Sequence, residues 1–143
     1  MLGVHSEVGR LRSVIVCAPG LAHRRLTPST AGDLLFDEVM WVASAQRDHA
    51  DFVATMRARG VEVLELADLL TETMALPEAR EWVLSRKVTA NKVGLGLVDA
   101  TTAFLQTLSP ARLAEVLIGG LAAGALVFDV VFTSFNFLRS GTT

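Results

Sequence analysis

Cysteine is nearly absent: the 143-residue chain has one, Cys17. That excludes an intramolecular disulfide and fits a reducing compartment. An excess of either charge is lacking too. Thirteen Lys and Arg stand against 15 Asp and Glu, for a formal net charge of -2. Neither nucleic acid nor an anionic membrane surface therefore has an electrostatic claim on the chain. The first residues, Met1 to Arg12, carry charges and no apolar run, so no secretory signal peptide is expected. A long hydrophobic run is also missing. Val116 to Phe128 is apolar or glycine for 13 residues, three of them glycine, before Asp129 interrupts it. A membrane span needs about 20 such residues. The histidines, His5, His23 and His49, show no metal-ligand spacing with one another. A cytoplasmic protein is expected, with no nucleic-acid and no membrane partner.

What the chain does have is a composition that can bury a core: 51% hydrophobic and 20% charged residues. Ser13 to Ala18 is short, β-branched and apolar, and Pro19-Gly20 ends it, which reads as a buried strand. Residues 19–33 hold Pro19, Gly20, Pro28, Ser29 and Gly32 and read as a long loop, the kind that often carries function. A helix is expected from about Val39 to Arg59, with Val42, Ala45, His49, Phe52, Val53 and Met56 on its buried face and Gly60 as its C-terminal cap. Val61 to Leu66 alternates as a second strand. Strand, helix, strand in that order suggests a crossover unit.

Beyond Leu66 the pattern becomes helical. Leu69, Leu70, Thr73 and Met74 suit one short helix. Pro77 can open a second, with Glu78 in its first turn and Ala79, Trp82 and Val83 facing inward. Leu97, Thr101, Phe104, Leu105 and Leu108 suit a third, and Ser109-Pro110 opens a fourth that buries Leu113, Leu117 and Leu121. Trp41 and Trp82 are expected to be packing residues and Cys17 a buried structural thiol, since no neighbouring charge activates it. The organisation expected is an α/β segment at 1–66, a helical domain at 67–122 and an apolar tail at 123–143 that fits neither.

Several short motifs, in order, resemble bacterial arginine deiminases. They are LGVHSEVGRLR at 2–12, CAPG at 17–20, LTPSTAGDLLFD at 26–37, RDH at 47–49, RGVEVL at 59–64, DLLTET at 68–73, VGLGL at 93–97 and LAEVLIGG at 113–120. The resemblance covers roughly residues 2–122. It implies an α/β fold of five strand-and-helix blades around a central site, an α/β-propeller with a helical bundle domain inserted after the first blade. It also implies a reaction. A cysteine thiolate attacks the guanidinium carbon of L-arginine, ammonia leaves, and water releases citrulline from the covalent intermediate. A histidine handles protons, and carboxylates grip the planar guanidinium. No metal or organic cofactor is implied, and assembly as a homo-oligomer is left open.

The resemblance places the stretch Leu34 to Asp37 beside the substrate channel, with Leu35 packing near the ligand and Asp37 as the candidate acidic contact. Asp37 suits a helix N-cap equally well, and the two roles are compatible. Thr30 stands where the family carries asparagine, so this loop has no side-chain amide there. The family's Phe-Thr-Arg-Asp motif, catalytic histidine, carboxylates and nucleophilic cysteine all fall beyond the matched stretch. Here Phe132-Thr133 is followed by Ser134-Phe135 instead. A truncated or frame-shifted product, inactive alone, is expected on this reading. The rivals are a non-catalytic arginine-binding or partner module and a membrane-associated protein. A partial propeller would leave strand edges and apolar surface uncovered.

Overall fold

A computed structural model of the chain describes residues 3, 6, 8–31 and 39–121. They fold into two compact units that divide between Leu69 and Leu70. The class is α/β, mostly helical with a small parallel sheet.

The first unit is built on strand β1 (Ser13–Val16), helical turns α1 (Leu21–Arg24) and α2 (Pro28–Ala31), helix α3 (Val42–Ala58) and strand β2 (Glu62–Glu65). The strands pair in parallel, Val14 opposite Val63 and Val16 opposite Glu65. Because side chains alternate along a strand, those four residues share one face, and Ser13, Ile15, Glu62 and Leu64 share the other. Helix α3 packs on the first face, where Val53 and Val63 are buried. The turn from α3 into β2 is set by Gly60, which adopts φ +76 at no Cβ cost. The Gly60 N–H donates to the Arg57 carbonyl at 2.9 Å and the Val61 N–H to the Met56 carbonyl at 3.2 Å, the paired bonds of a Schellman cap.

The structure departs from several expectations of the sequence. β1 is not a buried strand: Ile15 is 59% exposed, because helix α3 covers only the opposite face. Phe52 is exposed too. It lies about 100° around the helix from Val53, and the small sheet covers one of the two. The loop after β1 contains α1 and α2. Pro28 and the Thr27–Ser29 hydroxyl pair at 2.9 Å favour the second of these turns.

The second unit holds most of helix α4 (Leu66–Met74), then α5 (Pro77–Lys87), the turn α6 (Ala90–Val93), a 3₁₀ turn (Leu95–Leu97), α7 (Val98–Thr107) and α8 (Pro110–Gly119). Pro77 occupies the first helical position as expected, with Glu78 in the first turn and Arg86 and Lys87 in the last, both favourable to the helix dipole. Ser109 caps α8 by accepting the Arg112 N–H at 3.3 Å. Met74, Leu84, Val88, Leu105, Leu113 and Val116 form the core. Arg80 ties α5 to the end of α7, its Nη2 donating to the carbonyls of Leu105, at 3.1 Å, and Leu108. On α5 Leu84 is buried and Val83 packs against the core, as expected for Val83. Trp82 is 58% exposed, with the Arg86 guanidinium over its ring at 4.1 Å. Trp41, at 71%, is exposed likewise, with Arg47 over its ring at 5.2 Å. Both indoles find a cation on the surface rather than a place in a core.

Candidate functional site

Parallel strands end on the same side, and in α/β folds that side is where ligands gather. In the first unit the C-terminal ends of β1 and β2 face a groove lined by Ala18, Gln46, His49, Arg57, Glu65 and Asp68. Helix α3 supplies Gln46, His49 and Arg57 because its stripe faces the sheet. Gln46 Nε2 donates to the Pro19 carbonyl at 2.8 Å and so holds the start of the loop that leaves β1. One turn further, His49 Nε2 lies 2.9 Å from Glu65 Oε1, and both side chains are about four-fifths buried. Two turns beyond that, Arg57 Nη2 donates to the Val63 carbonyl at 3.2 Å. These three contacts fasten α3 along the unit, one to the loop and two to β2.

The second Glu65 oxygen, Oε2, is buried without a hydrogen-bond partner among the described residues. The helical spacing puts His49 on the buried stripe of α3 without pairing it with Glu65. The available signal was Glu65 itself, an acid at a strand position whose face also carries Val63.

Leu35 and Asp37, the substrate-side residues expected from the sequence, lie outside the described residues, as does His5. The apolar tail from 123 onward lies outside them too. Cys17, expected to be a buried thiol, is exposed, immediately past the end of β1, and its Sγ–H points to its neighbour's carbonyl, that of Ala18, at 3.9 Å. The strand that was to bury it has only one covered face. His23 Nδ1 accepts the Gly20 N–H at 3.3 Å, a local contact that closes the first turn of α1. Chemically, the His49–Glu65 pair can orient an imidazole, as an acid–base dyad does. In this fold its evident effect is mechanical, since Nε2 is taken up by the carboxylate.

The second unit has its own groove of about 540 Å³, lined by Pro77, Arg80, Glu81, Ser85, Thr102 and Gln106. Arg80 Nη2 already donates to the end of α7, and its Nε is buried without a partner among the described residues. Among the described residues no three His, Cys, Asp or Glu side chains are disposed to hold a metal ion. No helix among them is long and apolar enough to cross a membrane.

Comparison with known proteins finds a match between residues 32–139 and the arginine deiminase family. That match takes in most of the segment at 123–143 that the sequence reading sets apart. The arginine deiminase of Rhodococcus erythropolis is 44% identical over 134 residues, 93% of this chain and 33% of that protein. Those of Mycobacterium avium, 45% identical over 129 residues, and Mycolicibacterium gilvum, 45% over 128, are similar across 90% and 89% of this chain. In each of these two the aligned part is 32% of the relative. The chain therefore spans about a third of the length of the curated relatives it matches.

Proposed function

The chain belongs to the arginine deiminase family, and on that premise we propose that it forms the N-terminal part of an arginine deiminase. The activity proposed for the whole protein is hydrolysis of L-arginine to citrulline and ammonia through a cysteine-bound amidino intermediate. The strand–helix–strand unit, followed by a unit whose described residues are helical, supports a first propeller blade with an inserted helical domain. Leu35 and Asp37 are proposed to serve the substrate side, Asp37 by offering a carboxylate to a planar cation. A cytoplasmic setting is proposed with it, in keeping with a chain that has a single cysteine.

The 143-residue chain alone is proposed to be inactive. The observation that carries this is the position of its one thiol. Cys17 sits in the open at a strand end, beside a backbone carbonyl, while the described histidines are engaged elsewhere, His23 with Gly20 and His49 with Glu65. A thiol attacking a guanidinium needs an adjacent base and an acidic clamp on the substrate. Isothermal titration of L-arginine into the purified chain is the test of whether it is even a binding module. No saturable heat is expected. A 1:1 isotherm that disappears in Asp37→Asn would instead favour the arginine-binding partner reading.

A further inference from the structure

We draw no further inference here: the strongest candidate, the groove at the C-terminal ends of β1 and β2 lined by Gln46, His49, Glu65 and Asp68, carries nothing because the Glu65 oxygen that has no partner among the described residues is closed off from solvent and the other oxygen is already held by His49.

Discussion

Leu113→Ala tests whether the helical unit is held by the core described for it. Leu113 is 0% exposed and packs in the cluster with Met74, Leu84, Val88, Leu105 and Val116. The substitution deletes three carbon groups, which at about 0.8 kcal/mol per buried CH₂ is roughly 2.4 kcal/mol of lost transfer energy. A residual cavity adds to that, because neighbours on four different helices cannot all collapse inward, and the total is about 3–4 kcal/mol. A unit of this size has about 5 kcal/mol of net stability at roughly 0.1 kcal/mol per residue. Most of it is therefore removed. Urea unfolding followed by far-ultraviolet circular dichroism reads the effect. With a slope of about 1 kcal/mol per molar, the helical transition moves down by about 3 M. Leu95→Ala is the control, since Leu95 is exposed on the 3₁₀ turn, and its effect stays within about 0.5 kcal/mol. If the two substitutions shift the midpoint equally, the core assignment is wrong.

The other stability predictions concern polar groups. Thr101 is buried on α7 and its hydroxyl has no hydrogen-bond partner among the described residues, so Thr101→Val is expected to be neutral or stabilising by about 1 kcal/mol in the same unfolding assay. A loss above about 1 kcal/mol would mean that the hydroxyl has a partner. For His49 and Glu65, a double-mutant cycle with His49→Ala and Glu65→Ala is expected to give a coupling of about 0.5–1.5 kcal/mol, more than an exposed pair and less than a fully buried one. Strict additivity would show that the 2.9 Å contact does not fasten α3 to β2.

Local signals in the sequence are the ones that read through to the structure. Ser109-Pro110 opens α8, Pro77 opens α5, and Gly60 ends the turn after α3, because each acts on backbone groups within four residues. Leu105 and Leu113 are buried as their spacing implies. What failed to read through depends on whether a partner surface exists. Ile15, Phe52, Trp82 and Cys17 have the side chains of interior residues, yet no core among the described residues takes them in. Apolar spacing says which residues share a face and not whether that face is met. The His49–Glu65 pair was illegible for a different reason: sixteen residues separate them, and only the parallel register and the placement of α3 bring them together. The short turns α1, α2 and α6 escaped because one turn of helix leaves no periodicity to detect. For the substrate side the position is simpler. The motif containing Leu35 and Asp37 was readable by resemblance, and its geometry falls outside the described residues.

The most direct measurement is citrulline release by the purified 143-residue chain incubated with L-arginine at neutral pH. No production above the buffer blank is expected, because Cys17 is exposed beside a backbone carbonyl and the described histidines are held by other groups, His23 by Gly20 and His49 by Glu65. Sustained turnover that is abolished by Cys17→Ala would contradict that expectation.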